Sequence, residues 1–252
     1  MHGLDPIIMS KKQPSVIYGA QYLHKPIPGL SSQRPDGNIR TLRVGRPELY
    51  AKRVYGNGQH VTSWTKVRAL APAWNLRETY ERAWQKYKDN IADMTVSPTD
   101  VADLTSEFDL VISTIPLWSI CLLPNEHRFN SVSILVKKDV HLRRPIAKEE
   151  HWVIYNGTNQ HDWYRASVIF GCSSIEARSH PKLVNQAGWE SGFKVVDTNC
   201  DCHPNIVRAG RMGLWTRGVL THHAFETTLG AIAEQFGAMS PGSWTDHSAG
   251  SV

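Results

Sequence analysis

The clearest apolar pattern is Phe108-Asp109-Leu110-Val111-Ile112-Ser113-Thr114-Ile115, closed by Pro116. A near-continuous run ending on a proline predicts a strand buried on both faces. Ile39 to Val44 alternates and predicts a strand with one buried face; Val132 to Val136 predicts another strand. Trp152–Asn156 and Ala166–Phe170 read as paired strands joined by the polar loop Gly157 to Asp162, and residues 193–197 as a further strand. Shorter strands are expected at Ile7 to Met9 and Val16 to Leu23, before the Pro26-Ile27-Pro28-Gly29 turn. Helical spacing places Leu76, Tyr80, Ala83, Trp84 and Tyr87 on one face of a helix over Trp74–Tyr87, with Asn75 as cap and Glu78 three residues on. Pro47 starts a shorter helix through Arg53, and Ser97 to Asp100 opens another short helix or turn. A long helix over Leu220–Phe236 aligns Phe225, Leu229, Ile232, Ala233 and Phe236.

Strands interleaved with helices predict an α/β chain with α+β elements. No internal repeat or low-complexity linker divides the 252 residues, so a single compact unit is expected, with a flexible tail over 240–252. The hydrophobic share of 41% excludes a disordered chain, and the apolar stretch from Leu110 to Leu123 is too short and too polar to span a membrane. Four cysteines without a signal peptide suit a reducing, cytoplasmic setting. Formal charge is +5, but the basic residues are dispersed, so attraction to phosphate-bearing ligands or nucleic acid is permitted rather than required. The Cys200-Asp201-Cys202-His203 group invites a zinc reading. No second CxxC or HxxxH accompanies it, so turn residues and no metal are expected.

Two segments carry a resemblance. One is Asp109-Leu110-Val111-Ile112-Ser113-Thr114-Ile115-Pro116; the other is Ile206-Val207-Arg208-Ala209-Gly210-Arg211 with the helix after it. In that order they resemble the amine-oxidase and UDP-galactopyranose mutase branch of FAD-dependent oxidoreductases. There, "D-x-V-I-x-T-x-P" is a strand reaching the flavin domain and the late "G-R" is a strand end beside the cofactor. The stretch from Gly45 to Trp64 resembles the substrate region of mutase-like proteins, especially oxidoreductase-like proteins encoded by phages of actinobacteria. The resemblance implies an incomplete Rossmann-like FAD-binding core, about 107–120 and 193–236, with a mixed-sheet substrate lobe from about 16–106 and 121–192. Such enzymes open on a strand, G-x-G-x-x-G and a helix that hold the pyrophosphate. Gly3 and Gly19 do not form that fingerprint, so the chain reads as one that starts late, its cradle supplied by an upstream segment or a partner chain.

Gly210, Arg211, Met212 and Gly213, with Thr114 and Pro116, are the cofactor-binding residues the resemblance implies. Tyr22 and His24 are the catalytic candidates: a stacking aromatic beside an imidazole that titrates near neutral pH. Lys52, Arg53 and Tyr55, and then Trp163, Tyr164 and Arg165, are candidates for binding a phosphate or carboxylate of a small polar substrate. His222 and His223 diverge by about 100° on a helix, so at most one of them faces any ligand. The expected function is therefore an FAD-linked oxidoreductase or flavin-dependent isomerase. Two alternatives stand beside it: a non-catalytic binding or accessory protein, and a nucleic-acid-binding protein.

Overall fold

The computed structural model describes residues 8–10, 21–56, 64, 68–142 and 151–237. The expected strand residues 16–20, the glycines Gly3 and Gly19 and the tail 240–252 lie outside them. The chain is mixed α/β. Its centre is a seven-stranded mixed sheet built from β2 (Gly37–Gly45), β3 (Leu70–Ala73), β6 (Phe129–Lys138), β7 (His151–Gly157), β8 (Trp163–Ile169), β9 (Cys172–Arg178) and β10 (Trp189–Thr198), in the order β10-β6-β9-β8-β7-β2-β3. Only β2 and β7 run parallel in it; their ends meet at Gly45 and Gly157, where a Cβ on Gly157 would lie 2.0 Å from the Arg46 carbonyl. Glycine is required there because two backbones touch.

Two small parallel ladders stand apart from this sheet. β1 (Ile8–Ser10) pairs with β4 (Ile91–Asp93), and β5 (Ile112–Ser113) pairs with β11 (Val207–Arg208). The run at 108–115 therefore forms a two-residue strand rather than a long doubly buried one. Its partner β11 is equally short, Asp109 is exposed, and Leu110 to Ile112 are only half-buried.

Helix α1 (Pro47–Tyr55) ends on Gly56 in the left-handed region and packs Tyr50 and Val54 against Val132, Ile134 and Tyr164 on the sheet. In α2 (Leu76–Tyr87), Asn75 Oδ1 accepts from the N–H groups of Arg77 and Glu78, as the capping pattern predicts. The remaining helices are α3 (Asp100–Glu107), α4 (Pro181–Val184), α5 (Gly210–Leu214) and α6 (Thr221–Phe236). A second core joins Val101, Leu117, Ile120, Cys121, Val195, Cys200, Ile206 and Trp215, and ties the β5–β11 ladder to the end of β10. No helix among the described residues is long and apolar enough to cross a membrane.

Candidate functional site

The most unusual chemistry in the sheet is a buried carboxylate, Glu176 on β9. Arg165 of β8 donates to its Oε1 through Nε at 2.6 Å and through Nη2, Tyr164 Oη donates to Oε2 at 3.1 Å, and Lys194 of β10 reaches Oε2 at 2.9 Å. Consecutive strand residues normally point to opposite faces. Here the register slips between Trp163 and Arg165, leaving Tyr164 as an extra residue, and both neighbours reach one carboxylate. Lys194 Nζ also lies over the Tyr164 ring, 4.6 Å from its centroid.

Burial opposes the charge on Glu176, but Arg165 and Lys194 outweigh it and hold the carboxyl down at about 2. Burial and then Arg165 push Lys194 down to about 8, against the pull of Glu176. Arg165 stays above its ordinary value despite burial, because Glu176 sits beside it.

Arg211, at the start of α5, lies within electrostatic reach of Arg165 and Glu176. Its Nε donates to Val219 O at 3.2 Å. It is solvent-accessible yet closely surrounded: desolvation first, then Arg165, lower its pKa. Two cations, Arg165 and Lys194, thus pair with one carboxylate, and Arg211 nearby adds a further positive charge. Tyr55 lies under the Arg217 guanidinium, 5.5 Å from the ring centroid.

Tyr22 is half-buried against Ile39, Ala73, Val153 and Ile169, within electrostatic reach of Tyr155 and Arg165; burial, then Tyr155, raises its phenol. His24 stacks on it with ring centroids 4.4 Å apart and faces His222 at 6.3 Å. Desolvation, then His222 and His223, lower the His24 pKa, which favours the neutral imidazole. His223 is also a cap, its Nδ1 accepting from Leu220 N–H at 3.1 Å; against the expectation that the two histidines diverge, its ring meets that of His222 edge-on with centroids 4.2 Å apart.

The structure places Tyr22, Tyr164 and Arg211 within electrostatic reach of Arg165, and Tyr55 within reach of Arg211. It places others elsewhere. Lys52 is exposed, and its carbonyl takes Gly56 N–H and Arg178. Arg53 donates to Trp163 O at 3.4 Å, while the Trp163 ring stacks on His161. Met212 packs into the second core, Thr114 is exposed, and Pro116 precedes the 3-10 turn Leu117–Ile120. Gly210 takes φ +73°, and Gly213 lies so close to β5 that a Cβ would meet Ser113 O at 2.5 Å. Ser113 Oγ, buried beneath it, has no hydrogen-bond partner among the described residues. Sequence reading missed Glu176 and Lys194, both buried charges on strands whose partners come from elsewhere in the sheet.

A second group lies at the far end of β10. Cys121, His127, Cys200 and Cys202 converge with their ligand atoms within 4.8 Å of one another. His203, the histidine adjacent in sequence, is turned away, its Nε2 on the Ile120 carbonyl. No protein-family model, curated protein or solved structure matches this chain.

Proposed function

We propose that the chain is a flavin-linked oxidoreductase or flavin-dependent isomerase acting on a small polar substrate that carries an anionic group. The observation behind this reading is the cluster in which Arg165 and Lys194 pair with Glu176 while Arg211, next to Gly210 at the start of α5, lies within their electrostatic reach. Surplus positive charge favours a ligand that brings negative charge, and planar guanidinium groups suit carboxylate or phosphate oxygens. Glu176 keeps Arg165 and Lys194 in place while leaving net attraction.

For the cofactor, the fit is one-sided. Gly210 and Gly213 let backbone approach closely, Ser113 Oγ offers an unused polar group, and Arg211 offers a charge; these residues would hold the flavin end. The sequence has no G-x-G-x-x-G, so these residues offer no such cradle for the pyrophosphate. A bound flavin supplies the redox chemistry. The chain's own part is to fix the anion and to hold Tyr22 beside the neutral His24, whose imidazole can accept a proton.

The test is anion binding as a function of pH, with inorganic phosphate and acetate as probes and tryptophan fluorescence as readout. Lys194, held at about 8, loses its charge as pH rises through that value. Affinity is expected to be flat below it and to fall by up to about tenfold per pH unit above it. Lys194→Met should bind weakly at every pH and lose the dependence. No saturable binding, or a wild-type profile unchanged across pH 7 to about 10, would contradict the proposed site.

A further inference from the structure

We propose that Cys121, His127, Cys200 and Cys202 form a closed Cys3His centre for one structural zinc ion, independent of the flavin reading. The four residues come from three places: Cys121 directly after the 3-10 turn Leu117–Ile120, His127 just before β6, and Cys200 and Cys202 just after β10. Cys121 Sγ lies 3.7 Å from Cys202 Sγ and 3.6 Å from Cys200 Sγ; His127 Nδ1 lies 3.3 Å from Cys121 Sγ and 3.4 Å from Cys202 Sγ. A tetrahedron with metal–sulfur bonds of about 2.3 Å and a metal–nitrogen bond of about 2.0 Å has edges of roughly 3.8 Å between sulfurs and 3.5 Å from sulfur to nitrogen. The observed edges match that figure. They are far longer than a disulfide bond of about 2.0 Å, and all four cysteines are free.

The surroundings also suit a metal. His127 turns Nδ1 to the sulfurs and its other nitrogen, Nε2, toward Asp201 Oδ1 at 3.7 Å, the arrangement by which a carboxylate orients a ligating imidazole. Backbone N–H groups of Leu122 and Leu123 face Cys202 Sγ, and that of Cys202 faces Cys200 Sγ. Three soft sulfurs and one imidazole at tetrahedral spacing select zinc over the hard cations calcium and magnesium. Four protein ligands leave no open position, so the centre is structural, and binding releases the thiol protons to solvent.

The ion would staple three segments that carry few regular hydrogen bonds of their own. Arg208 Nη1 donates to Cys200 O at 2.8 Å, so the staple also fixes β11, which leads into Gly210 and Arg211. Loss of the ion should therefore loosen the β11 segment that leads into α5.

The experiment is metal analysis of the folded, full-length chain reconstituted with zinc chloride, with cobalt(II) as spectroscopic substitute. The proposal expects one zinc per chain, intense tetrahedral d–d bands with thiolate-to-cobalt charge transfer, and three thiols shielded from Ellman's reagent until a chelator is added. Cys172, which lies outside the cluster, should react throughout, and Cys172→Ser should keep its zinc. Cys202→Ser should lose it. Asp201→Ala, at an exposed position where folding is not at risk, should weaken zinc by about tenfold. A folded wild-type chain that takes up no zinc, a faint octahedral cobalt spectrum, a disulfide within the cluster, or full zinc retention by Cys202→Ser would each overturn it.

Discussion

Glu176→Gln is expected to cost about 3–5 kcal/mol of stability, read as a lower urea midpoint at unchanged slope. The glutamine keeps the shape and an acceptor for Tyr164, so packing is not what is lost. What is lost is the only carboxylate among the described residues in contact with Arg165 and Lys194, whose side chains are 22% and 18% exposed. Two charges stay desolvated with nothing to offset them. Adding Lys194→Met to the same variant should recover part of the loss, because it removes one of the orphaned cations and the sites are coupled. Glu190→Gln, which breaks the Lys138–Glu190 pair at its 54%-exposed carboxylate, should cost less than Glu176→Gln, whose carboxylate is 3% exposed. A depressed carboxyl stabilises the fold above its unfolded value. That contribution is expected to be whole above pH 4.5 and to disappear as pH falls toward about 2. A Glu176→Gln cost no larger than that of Glu190→Gln would mean that the cluster is solvated.

Gly213→Val should cost about 1–3 kcal/mol and should also weaken phosphate binding at Arg211. The added Cβ would lie 2.5 Å from Ser113 O and 3.3 Å from Thr114 Cα, and both are backbone atoms without a rotamer to yield. The strain must lift α5 off β5, and Arg211, two residues earlier, moves with it. Gly230→Ala is the matched control: it sits in α6 with nothing within 4 Å of its Cβ, and should be neutral or stabilising by up to about 1 kcal/mol. Chemical denaturation and phosphate titration of both variants separate the two effects. Equal behaviour of the two would contradict the close approach of α5 to β5.

Local signals in the chain were readable and long-range ones were not. The Asn75 cap and the pairing of β7 with β8 depend on neighbours in sequence, and pattern alone locates them. β9 reads Cys-Ser-Ser-Ile-Glu-Ala-Arg, where only Ile175 and Ala177 alternate with polar residues, too short a pattern to mark a strand until β6 and β8 pair with it on either side. Glu176 looks like a surface residue until β8 and β10 deliver Arg165 and Lys194. The bulge that turns Tyr164 and Arg165 to one carboxylate leaves no mark in the pattern. Cys200 and Cys202 were visible, but two ligands are too few. Cys121 lies 79 and 81 residues away from them, and only the fold closes that distance. The apolar run at 108–115 misled in the opposite sense: its hydrophobicity serves the second core, where Val111 and Ile115 pack, rather than a long ladder.

Titration with FAD, followed by quenching of flavin fluorescence, tests the flavin reading most directly. The account predicts weak but saturable one-site binding to the chain, weakened further by Arg211→Ala and by Lys194→Met and competed by phosphate. Absence of saturable quenching with either FAD or FMN, while phosphate still binds the same cluster, would contradict the flavin reading and leave a protein that binds anions without a cofactor.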